Sequence, residues 1–123
     1  MGVVRRRVGD APTWSWDGVV PRDYASGARR HVLVGEGDGA GQVELRYFTI
    51  PPGGASVRER HGHEHAIVIL HGRASVLIGA EVHEVGPGDA VFIASGEEHQ
   101  LTAGPDAPLG FLCTAVVGRQ RPG

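Results

Sequence analysis

The chain of 123 residues holds a single cysteine, Cys113. That excludes an internal disulfide and gives no sign of the cysteine framework of small secreted domains. Helix-period segments are scarce, and no stretch approaches the roughly 18 apolar residues of a membrane span. The amino terminus MGVVRRRVGD is basic but has no apolar run behind it, so it lacks the form of a secretory signal. Strong charge of either sign is missing too, with a formal net of −2, so neither nucleic acid nor an anionic membrane is expected as partner. The three arginines at 5–7 are too few for a nucleic-acid patch. These absences lead to the expectation of a cytoplasmic protein of one domain.

What the chain does have is turns and histidines: 20 Gly, 8 Pro and 7 His. Short apolar or alternating runs recur between glycine-rich breakers: HVLVG (31–35), VELRYFTI (43–50), AIVILHG (66–72), ASVLIG (74–79), EVHEV (81–85), AVFIA (90–94) and LGFLCTAVV (109–117). About nine or ten short strands without an amphipathic helix predict an all-β sandwich or barrel. An arm over 1–26 precedes this body, which spans 27–117, and a polar tail over 118–123 follows it. Trp14 and Trp16, two apart, share a face of an extended arm, suited to pinning it to the body or to a second subunit.

Residues 58–72, RERHGHEHAIVILHG, place histidines at 61, 63 and 65. On a strand, side chains two apart share a face with Cα atoms roughly 6.5–7 Å apart, whereas four apart they are roughly 13 Å distant. His61 and His65 can therefore share an ion only if the chain turns between them, and Gly62 offers the place. With the turn there, His63 is expected at its tip, pointing away, while Glu59 lies on the face of His61. The coherent set is then Glu59, His61 and His65; the rival set 61, 63 and 65 needs an unusual backbone. His31, His71 and His83 read as satisfied core or surface residues.

These residues resemble the cupin superfamily, whose first motif runs Gly, five residues, His-x-His, three or four residues, Glu, six residues, Gly. Here Gly53, Glu59-x-His61, His65 and Gly72 fall at those spacings. The second motif is similar to Gly88, five residues, Ala94-x-Gly96, two residues, His99, three residues, Ala103, and fifteen residues separate the two motifs. The segments GARRHVLVGEGDGAG, LRYFTIPPGG and GFLC look like pieces of small single-domain bacterial cupins with a four-histidine manganese site. The resemblance implies a double-stranded β-helix, or jelly-roll barrel, over residues 27–117. It adds His99 as a ligand and implies a shell of Glu59, His61, His65 and His99 around one divalent metal ion per chain. Glutamate replaces the family's first histidine at 59, histidine replaces its glutamate at 65, and its proline and asparagine are Ala94 and Ala103.

Mixed nitrogen and oxygen ligation suits Mn or Fe(II) first, with Ni, Co, Cu or Zn admissible. Three neutral imidazoles and one carboxylate leave such a site near +1 with open positions for a substrate or dioxygen. The leading expectation is an oxidoreductase of dioxygenase type acting on a small, partly apolar organic molecule. The alternatives are a non-redox isomerase, lyase or cyclase working by Lewis-acid polarisation, and a non-catalytic binding module. Ile67 and Ile69 alternate to the side of His65, and Phe48, Phe92, Leu101 and Phe111 are expected to line the barrel. Cys113, on the side of Phe111, is implied by the resemblance to look into the barrel near the metal. Arg46 either anchors an anionic substrate or faces solvent. Small cupins usually pair, so a homodimer is expected.

Overall fold

The computed structural model describes residues 2–9 and 13–117; the polar tail expected at 118–123 lies outside them. Eleven strands follow one another: β1 (Arg7–Val8), β2 (Ser15–Trp16), β3 (Arg22–Ala25), β4 (Ala28–Val34), β5 (Val43–Ile50), β6 (His65–His71), β7 (Ala74–Ile78), β8 (Glu81–Val85), β9 (Ala90–Ile93), β10 (His99–Ala103) and β11 (Leu109–Val116). One 3-10 turn, Glu36–Asp38, is the only helical piece among the described residues. No helix there is long and apolar enough to cross a membrane.

Two antiparallel sheets form the body: a six-stranded sheet in the order β3-β4-β5-β11-β6-β9 and a three-stranded sheet in the order β10-β7-β8. Bridges Ala55–Thr102 and Glu59–His99 add the segment 55–59 to the free edge of β10. Strands distant in sequence are thus neighbours in space, the Greek-key crossing of a jelly-roll barrel, as expected from the sequence.

Period-two alternation decides which side chains fill the interior. On β5, Phe48 and Ile50 join Ile67, Ile69, Val76, Leu101 and Phe111 in one buried cluster between the sheets. Tyr47 points the other way and is nonetheless fully buried. The amino-terminal arm covers it: the Trp16 ring lies 4.9 Å from that of Tyr47, and the Trp14 N–H donates to Tyr47 Oη at 3.0 Å. Trp14 and Trp16 stand edge to face at 6.1 Å, a favoured aromatic geometry.

Phe92 departs from its expected place in the barrel lining: it is 58% exposed. Pairing in register explains this, because Phe92 opposes Ala66 on the outer face while its neighbour Ile93 opposes His65 on the inner one. Between β6 and β7, Gly72 takes φ +78°, and a Cβ there would collide with the Pro108 carbonyl oxygen. Only glycine meets both demands.

Candidate metal centre

The two sequence motifs meet because their strands pair. Glu59 N–H donates to the His99 carbonyl at 3.1 Å and His99 N–H donates back to the Glu59 carbonyl at 2.9 Å. Two residues on, Gly96 N–H donates to the His61 carbonyl at 2.6 Å, so residues 59–61 run beside 96–99 on one wall of the barrel. His65 opens β6 on the opposite wall. Across the interior, ligand-capable atoms of His61, His65 and His99 lie within 4.8 Å of one another, and these three histidines could hold a metal ion.

Two of the imidazoles are fixed in one tautomer. His65 Nδ1–H donates to the Thr114 carbonyl at 3.1 Å and His99 Nδ1–H to the Glu97 carbonyl at 2.9 Å. Each therefore keeps the lone pair of Nε2 for the interior, the usual way a protein orients a histidine ligand. His65 Nε2 is buried and has no hydrogen-bond partner among the described residues. Burial holds His65 at a pKa of about 4, so it stays neutral near pH 7. A buried lone pair without a donor is costly unless something electrophilic meets it. The residues fit a divalent cation.

Glu59 stands at the edge of this group. Its Oε1 accepts from Tyr24 Oη–H at 2.8 Å and lies 3.2 Å from His61 Nε2. Burial pushes this carboxyl up, but the hydrogen bonds from Tyr24 and His61 outweigh it and hold it below the ordinary range. The Glu59 carboxylate is thus a hydrogen-bond partner of His61, and it is not one of the three residues whose ligand-capable atoms lie within 4.8 Å of one another. Tyr24, on the edge strand β3, carries no motif signature; only an aromatic among strand residues hinted at it.

His63 does not point away. Its ring stacks on that of His61 at 5.0 Å and lies 4.8 Å from that of His65. The chain crosses between sheets by a gradual bend at 62–63 rather than a tight hairpin, so the alternation of 61, 63 and 65 survives it. His31 is buried, with Nδ1–H donating to the Tyr47 carbonyl at 3.2 Å. His71 Nε2 lies 2.6 Å from Tyr47 Oη, while His83 is exposed. None of these three joins the cluster.

An inner cavity of about 40 Å³ adjoins the histidines, with Ile67, Leu101, Phe48 and Phe111 as its apolar walls and Cys113 and Arg46 at its end. Arg46 is buried and turned inward: Nε lies 3.5 Å from Glu44 Oε2, and Nη2 donates to Cys113 Sγ at 3.8 Å. Cys113 Sγ is also 3.3 Å from His65 Nδ1. Burial pushes its thiol up, and the Arg46 guanidinium only partly offsets this. A second cavity of about 160 Å³ is lined by Tyr24, Arg30, Arg46, Glu59, His61 and His63.

A jelly-roll barrel with convergent histidines at its mouth defines a class, and the chain belongs to the cupin family: the family pattern described as a cupin domain (Cupin_2) matches residues 46–115. The chain is 46% identical over 79 residues to the 1-methylthio-D-xylulose 5-phosphate methylsulfurylase of Rhodospirillum rubrum; the match covers 64% of the chain and 51% of the relative. The chain thus spans about half the length of that curated relative. Among solved structures it is similar to a cupin-2 domain of Rhodospirillum rubrum (38% identity, 91% of this chain and 77% of that one, TM-score 0.80). It is also similar to the polyketide cyclase RemF of Streptomyces resistomycificus (30% identity, 86% and 78% coverage, TM-score 0.75).

Proposed function

We propose that the chain is a metal-dependent enzyme acting on a small oxygenated organic molecule, with Glu59, His61, His65 and His99 as the ligands of one divalent ion. The observation that carries this reading is the buried Nε2 of His65, aimed at His61 and His99 and lacking a hydrogen-bond partner among the described residues. Bound there, such an ion supplies Lewis-acid polarisation of a substrate oxygen.

The protein's own groups do the rest. The Thr114 and Glu97 carbonyls hold two imidazoles in register, so little reorganisation accompanies ligation. Glu59 lowers the charge of the loaded site, and Tyr24 Oη–H keeps that carboxylate oriented. Ile67, Leu101 and Phe111 exclude water from the inner end, which strengthens every charge interaction there. The cavity of about 160 Å³ beside the histidines leaves room for part of a substrate among Arg30, Glu59, His61 and His63.

Of the two enzymatic readings, the one that needs no dioxygen has the better support, since the named relatives at 46% and 30% identity are a methylsulfurylase and a cyclase rather than oxygenases. The dioxygenase reading uses the same ligands and differs in one requirement, oxygen. With 1-methylthio-D-xylulose 5-phosphate as first probe and a low-molecular-weight thiol supplied to accept the methylthio group as a mixed disulfide, we expect turnover under argon that is lost on chelation and restored by Mn or Fe(II). Turnover requiring dioxygen would replace this reading with the oxidative one, and tight binding of the probe by metal-free protein without turnover would replace both with a binding module.

A further inference from the structure

The arginines of β3 and β4 sort onto two faces. Arg29 faces outward, with Nε 3.8 Å from Asp23 Oδ1. Arg22 and Arg30 are directly opposed in register on the other face. That is the face of Tyr24, whose ring packs 5.1 Å from Phe48, the register partner of Arg30. Like charges directly across a strand pair repel. Neither Arg22 nor Arg30 has an ion pair or hydrogen bond among the described residues. An uncompensated pair of this kind asks for an anion.

A cavity of about 260 Å³ opens over the pair, lined by Arg5, Arg22 and Arg30 together with Val19, Val20 and Val32, and no carboxylate lines it. Arg5 is already committed, donating to the Leu33 carbonyl at 3.0 Å and pairing with Asp38. Arg22 and Arg30 are left with their full donor sets. Arg30 also lines the 160 Å³ cavity that it shares with Glu59, His61 and His63. The two cavities therefore meet at Arg30, one leading to the histidines and the other ending in arginines and valines. A guanidinium presents a planar fork of donors that matches phosphate and carboxylate oxygens.

We propose that Arg22 and Arg30 bind the terminal oxyanion, phosphate or carboxylate, of a small substrate whose other end reaches His61, His65 and His99. The inference rests on the reading of the histidine cluster as the reacting end, and it adds the class of substrate: a small organic anion, charged at the end remote from the chemistry. The valines accommodate the carbon chain next to the anion, and Arg29, on the outer face, takes no part.

The test is titration calorimetry with inorganic phosphate and, separately, succinate, on full-length protein as isolated and after chelation and dialysis. Metal content is measured on the same samples. Saturable binding of at least one of the two anions is expected in both the loaded and stripped protein. It should weaken roughly tenfold in Arg30→Gln and in Arg22→Gln and stay unchanged in Arg29→Gln. Phosphate alone binding, or succinate alone, identifies the kind of oxyanion. Binding that vanishes with the metal and ignores Arg30→Gln would place the anion on the ion and overturn the proposal, as would no binding of either anion. A chain that holds metal but binds no anion refutes this inference and leaves the metal reading intact; a chain that binds anion through Arg22 and Arg30 but holds no metal does the reverse.

Discussion

Glu59 and His99 face each other across a single antiparallel bridge, exchanging backbone hydrogen bonds of 3.1 and 2.9 Å. Forty residues apart in sequence, they are direct cross-strand partners in a hydrogen-bonded pair, with side chains on the same face. This bridge is what turns two separate motifs into one site.

Tyr24 should matter to metal binding although it belongs to neither motif. Its hydroxyl donates to Glu59 Oε1 at 2.8 Å. Replacing a residue that orients a ligand typically costs 10–100-fold in metal affinity. Tyr24→Phe is expected to weaken Mn(II) binding by about tenfold while lowering the stability of the metal-stripped protein by only about 1 kcal/mol. Unchanged affinity, measured by competition with a chelator, would remove Glu59 from the shell.

Acid should loosen the attachment of the amino-terminal arm. Tyr47 Oη accepts the Trp14 N–H at 3.0 Å and so directs its own proton to His71 Nε2, 2.6 Å away, which requires a neutral imidazole. Burial depresses both His71 and His31 below the ordinary 6.5. Groups depressed in this way bind fewer protons folded than unfolded, so their contribution is full above the unfolded value and is lost as pH falls from there through the lower folded value. His65, held at about 4, has the same sign. The melting temperature of metal-stripped protein should fall from pH 7 to pH 5, and His71→Gln should lose part of that fall. A midpoint that rises on acidification would contradict the arrangement.

Cys113 should be slow to react. It is 4% exposed and its thiol is pushed up by burial, and the thiolate is the reactive form. In native protein at pH 8, thiol titration with a disulfide reagent is expected to lag far behind the same reaction in denaturant. Equal rates would mean that the inner cavity opens freely to solvent.

Much of the architecture was legible in the sequence because its signals are periodic. Alternation placed Phe48, Ile67, Ile69 and Phe111 in the interior, where they lie. Glycine-rich breakers marked the turns, and Gly72 sits where only glycine fits. Phe92 is large enough to read as barrel lining, but register decides its place: Ile93 takes the inner position beside His65 and turns Phe92 out. His63 was missed for a related reason, since a bend at a crossover between sheets preserves alternation where a hairpin would break it. Tyr24 and Arg30 leave no signal in the sequence because edge strand β3 and its neighbour β4 contribute to the site through tertiary packing, which has no spacing to read.

The central claim is that Glu59, His61, His65 and His99 hold one divalent ion, and elemental analysis of untagged protein tests it most directly. Wild-type protein reconstituted with Mn or Fe(II) and desalted should carry about one ion per chain. His65→Gln and His99→Gln should be empty, Glu59→Gln should bind weakly, and His63→Gln should remain full. Wild-type protein that retains no metal, or a His63→Gln variant that is empty while Glu59→Gln stays full, would contradict the account.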